Sequence, residues 1–152
     1  MLIERSMAIH DRLMQMVPAL LKPGIMEYEL RARLAEACVT MGCDAAAFVA
    51  VGSAPQSEAA HYTPHFACNR RIERGDNVNV MIEICGPGGL YGELSRTFTL
   101  GKPGASILRL FDIAKRCQAA VAEAVRPGVS GAEVNKIFDA FAVPYGIAPN
   151  TR

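Results

Sequence analysis

No run of apolar residues in this chain reaches the roughly 18–20 needed to cross a bilayer, so a helical membrane span is excluded. Neither sign of charge predominates. Sixteen Lys and Arg stand against fifteen Asp and Glu, for a net charge of +1. Nucleic acid and anionic membrane surfaces are therefore not expected partners. There is no Cys-x-x-Cys pair. Five cysteines (Cys38, Cys43, Cys68, Cys85, Cys117) are scattered and odd in number, which reads as reduced, mostly buried thiols of a cytoplasmic protein. The three histidines do not lie at ligand spacing from them, which argues against a structural zinc site. The first 21 residues carry Glu4, Arg5, Asp11 and Arg12 among their apolar positions, so they read as an amphipathic helix rather than a secretory signal. What remains is a 152-residue chain, 51% apolar and 20% charged, long enough to bury a core.

A short phrase occurs twice. Lys22-Pro23-Gly24-Ile25 leads into Glu29-Leu30, and Arg126-Pro127-Gly128-Val129 leads into Glu133-Val134, with a constant offset of 104. Each phrase ends one helical pattern and opens another, which points to a duplicated unit. The first copy is followed by strand patterns, and the second reaches Arg152 before any appear. The expectation is one lobe (about 1–101) plus the opening helices of a second (about 102–152).

Apolar residues recur at helical spacing from Leu2 to Leu21, and Pro23-Gly24 stops them. A second helix is expected from about Glu27 to Met41, with Leu30, Leu34, Ala37 and Cys38 on one face. Ala46–Val51 reads as a short buried strand closed by Gly52-Ser53, and Gln56–Asn69 as a polar ordered loop with a strand fragment. After Gly75-Asp76 the period becomes two, with Val78, Val80, Ile82 and Ile84 on one face and Asn77, Asn79, Met81 and Glu83 on the other. Gly86-Pro87-Gly88-Gly89 then reverses the chain into a second extended stretch, Leu90–Leu100, to make a β-hairpin. A helix follows over Ile107–Val125, with Ile107, Leu108, Phe111, Ala114, Cys117, Val121 and Ala124 on its apolar side. Ser130-Gly131-Ala132-Glu133 is a capping box that opens a last helix to about Phe141. The tail from Pro144 has no periodicity. The order α-α-β-β-β-α-α predicts an α+β fold, with helices on one side of an antiparallel sheet.

Chemistry concentrates on the hairpin, where Glu83 and Glu93 could present oxygen ligands to a divalent cation. The alternative for both is a solvated edge-strand glutamate. A four-residue loop over Gly86–Gly89 would set Cys85 opposite Leu90, Glu93 opposite Ile82 and Glu83 opposite Gly92, so the two carboxylates would diverge. They converge only if a bulge or a different loop length shifts the register by one. Loop histidines His61 and His65 are four apart, and Pro64 between them argues against a helical ligand pair. His10, on the first helix, is expected to be solvated. The glycine-rich loop is not a phosphate cradle, because no Lys-Ser/Thr follows it and a strand, not a helix, comes next.

Arg74-Gly75-Asp76-Asn77-Val78, Leu94-Ser95-Arg96-Thr97-Phe98-Thr99-Leu100-Gly101 and Arg126–Val134, in this order, resemble the catalytic domain of the aminopeptidase P, prolidase, methionine aminopeptidase and creatinase family. The resemblance covers nearly the whole chain. It implies the two-lobed pita-bread fold, itself an internal duplication. It also implies a peptidase centre of two divalent metals held by two Asp, a His and two Glu, with the two Asp on the hairpin and the rest in the second lobe. Matched through Arg96-Thr97-Phe98, the second Asp corresponds to Glu93. The first corresponds to Ile82, or to Glu83 if the hairpin is one residue shorter. The substrate-contacting histidine corresponds to His61, with Tyr62 beside it. Neither Asp is present as Asp, and the second-lobe ligands have no counterpart within these residues.

Three readings follow from the resemblance. The first is a partial Xaa-Pro aminopeptidase or prolidase-type hydrolase, inactive by itself, whose complete parent binds two manganese, cobalt or zinc ions that this chain alone does not hold. The second is a metal-independent, creatinase-like enzyme acting on a small molecule. The third is a non-enzymatic half-lobe that self-associates. The expected partners are accordingly a peptide or small-molecule substrate, and a second copy or the missing second lobe.

Overall fold

The computed structural model describes residues 1–43, 48–58, 60 and 69–146. It divides into two units, Met1–Pro103 and Gly104–Arg152. The first contains α1 (Leu2–Leu20), α2 (Glu27–Thr40), β1 (Phe48–Pro55), β2 (Asp76–Cys85) and β3 (Tyr91–Thr99). The second contains α3 (Ala105–Ala124), α4 (Gly131–Ala142) and a 3-10 turn over Val143–Tyr145.

In the first unit the strands form one antiparallel sheet in the order β1-β2-β3. The period-two pattern of β2 explains which face is covered. Val78, Val80, Ile82 and Ile84 are fully buried and share an inner face with Val49 and Val51 of β1. Leu13 and Val17 of α1 and Leu30 and Leu34 of α2 pack onto that face and complete the core. The outer face carries Asn77, Asn79, Met81 and Glu83 of β2, opposite Thr99, Thr97, Ser95 and Glu93 of β3.

One sequence expectation changes here. β1 runs through Gly52-Ser53 to Pro55 instead of stopping at Val51. Pairing of Gly52 with Asn79 and Ser53 with Val78 overrides the breaker signal of that dipeptide. The Glu27 carboxylate also fixes the end of the strand by accepting from both Ser53 N and Ser53 Oγ at 2.6 Å. The expected start of the strand at Ala46, and most of the Gln56–Asn69 loop, lie outside the described residues.

The repeated phrase folds the same way twice. Ile25 N donates to Lys22 O at 3.1 Å with Gly24 at φ +90°, and Val129 N donates to Arg126 O at 3.1 Å with Gly128 at φ +92°. Proline pre-sets the second position of each turn and glycine supplies the left-handed third, a type II arrangement. The next helix starts alike in both copies. The Glu29 carboxylate accepts from Met26 N at 2.8 Å, and the Glu133 carboxylate accepts from Ser130 N at 2.8 Å. Helix, turn and capped helix therefore recur as one unit.

On α3 the expected apolar stripe is only partly covered. Cys117 and Ile113 are buried, whereas Leu108 and Phe111 are more than half exposed. Ile113 was not on the expected face. Periodicity identifies a stripe but not how much of it finds a partner.

Candidate functional site

The site is built on the β2–β3 hairpin, and its register decides it. Gly86 N donates to Leu90 O at 3.0 Å, and Gly89 N donates to Gly86 O at 3.1 Å. The reversal is thus made by Pro87-Gly88-Gly89, with Gly88 and Gly89 both at positive φ. An odd-numbered loop sets odd residues opposite odd residues. Cys85 faces Tyr91, and Glu83 faces Glu93 directly. The divergent register expected from a four-residue loop does not occur.

The two carboxylates also occupy the closer kind of pair. Leu100 N donates to Asp76 O at 2.9 Å at one end and Gly86 N to Leu90 O at the other, so the even-numbered pairs exchange backbone hydrogen bonds. Glu83–Glu93 is a non-hydrogen-bonded pair, in which Cα atoms approach to about 4.5 Å and side chains lie closest. Like charges directly opposite one another are destabilising. Glu83 is half-buried and Glu93 exposed. Tyr91, one pair nearer the turn, donates its hydroxyl to Glu83 Oε1 at 2.8 Å. That bond, with slight desolvation and the neighbouring charges of Glu83, Cys85 and Glu93, raises the Tyr91 pKa and keeps it a donor. Ile82, the other candidate for the first metal-ligand position, is fully buried on the inner face and cannot reach a ligand there.

The outer face continues as a polar ladder. Thr97 Oγ1 donates to Asn79 Oδ1 at 2.7 Å, and Thr99 Oγ1 donates to Asn77 Oδ1 at 2.9 Å. Asn79 Nδ2 donates to Ala60 O at 2.5 Å. The residue immediately before His61 is therefore tied to the face that carries the paired glutamates. His61 and Tyr62 themselves lie outside the described residues.

A second polar cluster secures the strand roots. Arg70 makes two hydrogen bonds to the Asp76 carboxylate, at 2.5 and 3.1 Å, and its Nη1 also donates to Ser53 Oγ at 2.7 Å. Burial works against ionisation of Asp76. The Arg70 guanidinium and the Glu73 amide outweigh it and hold the carboxyl below its ordinary value. The hydrogen bond to Asp76 in turn raises Arg70.

His10 corrects the sequence reading. It is fully buried rather than solvated, with Nδ1 2.9 Å from Ser6 O and Nε2 2.8 Å from Gly92 O. Ser6, also fully buried, donates from Oγ to Leu90 O at 3.0 Å. Sequence reasoning missed this pair because Ser6 Oγ and His10 Nε2 each reach a backbone carbonyl more than 80 residues away.

Among the described residues no group of three or more His, Cys, Asp or Glu is placed to hold a metal. The hairpin offers two carboxylates with oxygen chemistry suited to a divalent cation, fewer than the ligand count such ions take.

The sequence profile of metallopeptidase family M24 matches residues 1–152. The chain belongs to that family. It is 34% identical over 133 residues to a protein named probable dipeptidase PepE of Mycobacterium tuberculosis, covering 88% of this chain and 35% of that one. It is 27% identical over 150 residues to the Xaa-Pro dipeptidase of Pyrococcus furiosus, covering 95% and 41%. The crystal structure of dipeptidase PepE from Mycobacterium ulcerans superposes with a TM-score of 0.78 at 35% identity, covering 91% of this chain and 37% of that one. The fold is accordingly that of the N-terminal lobe of the pita-bread structures. The chain spans about 35–41% of the length of these relatives.

Proposed function

We propose that these residues form the first part of the catalytic domain of a peptidase that cleaves dipeptides or Xaa-Pro bonds, and that Glu83 and Glu93 are its hairpin carboxylates. The observation that carries this reading is the direct pairing of Glu83 with Glu93 on the outer face of the sheet. Like charges directly opposite one another cost stability, a cost that a bound cation would offset. Family membership and the dipeptidase relatives supply the reaction class.

In this reading Glu83 and Glu93 would hold divalent metal, completed by ligands from beyond these residues. When bound, such metal supplies Lewis acidity for the scissile carbonyl and an activated water. Tyr91 fixes the Glu83 carboxylate through its hydroxyl. Asn79 anchors the residue preceding His61, whose proposed role is contact with the substrate. The 152 residues alone would not turn over substrate, because two carboxylates are too few to retain metal.

The test is hydrolysis of an Xaa-Pro dipeptide by the full-length parent. Glu93→Gln should lower kcat/KM by at least about 100-fold, and chelator should abolish activity that manganese, cobalt or zinc restores. Unchanged turnover by Glu93→Gln would sink the reading.

A metal-independent, creatinase-like enzyme is the second reading. The aligned positions carry Glu rather than Asp, and Tyr91 already occupies one oxygen of Glu83. Full activity of the parent on a small amide or amidine in strong chelator would favour it.

A further inference from the structure

The face of the hairpin opposite the glutamates carries an unusual contact. α1 lies so close to it that Gly86 admits no side chain and Gly92 leaves little room for one. A Cβ placed on Gly86 would lie 2.8 Å from Ser6 Cα, and one on Gly92 would lie 3.0 Å from both His10 Cε1 and Met7 Sδ. Into those two gaps α1 sends two polar groups. Ser6 Oγ donates to Leu90 O, and His10 Nε2 lies against Gly92 O. Both side chains are fully buried.

We propose that Ser6 and His10 are positioning residues: they lock the register of the β2–β3 hairpin and thereby hold Glu83 opposite Glu93. The inference rests on the reading of those two glutamates as the site. Its physical basis is that these contacts act from the inner face, where they add to the outer-face bonds Tyr91–Glu83, Thr97–Asn79 and Thr99–Asn77 that also depend on the register. The turn Pro87-Gly88-Gly89 is glycine-rich and accommodates another loop length. On the inner face β3 contributes Gly92, Leu94, Arg96 and Phe98, of which Leu94 and Phe98 are only half-buried. A one-residue slip of β3 would therefore lose modest apolar burial. It would, however, bring Tyr91 or Glu93 under His10, where a Cβ would crowd His10 and Met7 at 3.0 Å and the whole side chain would have to displace them. It would also move the Leu90 and Gly92 carbonyls away from their donors. The same slip would send Glu93 to the inner face. Steric exclusion and two hydrogen bonds thus act on one side of the sheet to set a charge pair on the other.

His10 can donate from both ring nitrogens only as the imidazolium; a neutral ring donates from one. The Nε2 bond to Gly92 is the one that holds the hairpin, and glutamine can reproduce a single such donor.

Paired cysteine substitutions test this in the full chain without reference to catalysis. Glu83→Cys with Glu93→Cys traps the observed register, because a non-hydrogen-bonded pair suits a cross-strand disulfide. Glu83→Cys with Leu94→Cys traps one of the two slipped registers, the one that brings Glu93 under His10. Cross-links formed in air are mapped by peptide mass spectrometry. Adding Ser6→Ala and His10→Ala should lower the ratio of the 83–93 to the 83–94 cross-link by about tenfold or more, as expected for two lost hydrogen bonds. Adding His10→Gln alone should keep the ratio within about threefold of the parent. A ratio unchanged by the double alanine variant overturns the proposal. So does loss of both cross-links in that variant together with failure of His10→Gln to retain the 83–93 product. If the register is locked but Glu93→Gln leaves the parent's turnover intact, the functional reading fails and the lock stands.

Discussion

Neighbouring residues on β2 have opposite duties, and a pair of substitutions separates them. Ile82 is fully buried in the core and Glu83 faces outward beside Glu93. Ile82→Ala should cost about 2–5 kcal/mol in urea unfolding through the cavity it leaves. Glu83→Gln should raise stability by about 0.2–1 kcal/mol, because it relieves a like-charge pair. Gain of stability with loss of turnover is the signature of a site residue. Asp76 supplies a pH dependence. Its folded pKa lies below the unfolded value of about 3.9, so the unfolded chain binds the proton more readily. The contribution is complete above that unfolded value and is lost as pH falls through the folded one. Melting temperature should drop below about pH 4, and Asp76→Asn should flatten that acid limb at the expense of stability at neutral pH. Cys38 gives a third test. Burial, reinforced by the neighbouring Cys43, pushes its thiol up to about 12. Iodoacetamide at pH 8 should leave Cys38 unlabelled in the native protein and label it after denaturation.

At the scale of elements, the Pro-Gly turns are the joints of the duplicated unit. Both central glycines sit in the left-handed region. Gly24→Ala and Gly128→Ala should each cost about 1–2 kcal/mol. Circular dichroism during urea titration measures it, and an unchanged midpoint in either variant would contradict the shared turn geometry. The helices and the β2 strand were legible because periodicity follows from burial on one side. The hairpin was legible as a hairpin, but its register was not. Four glycine-loop residues and three bonded ones differ by one position, and that one position decides whether two carboxylates meet. The backbone bond from Gly86 to Leu90 settled it. The length of β1 was hidden for a related reason, since Gly52-Ser53 breaks an isolated strand but not one paired with β2 and fixed by Glu27.

For the whole molecule, the second unit leaves much apolar surface uncovered. Leu108, Leu110, Phe111, Phe138 and Tyr145 are all exposed. Patches of this kind mark interaction surfaces. Sedimentation velocity on the 152-residue chain should therefore show association that grows with concentration. Phe111→Glu should suppress it. A monodisperse monomer at high concentration would count against the prediction.

By itself the sequence determined the helices, the hairpin, the internal duplication and the family, because each rests on local spacing or on a run of matched residues. It also named Glu83 and Glu93 as candidates. Only the tertiary structure decided that they face each other, that Ile82 is core, and that His10 is buried under the hairpin. These are contacts between residues far apart in the chain, and their geometry depends on one-residue register and on close helix-to-strand approach. Local composition constrains neither: a glycine that admits a helix and a glycine that only turns the chain look the same in sequence.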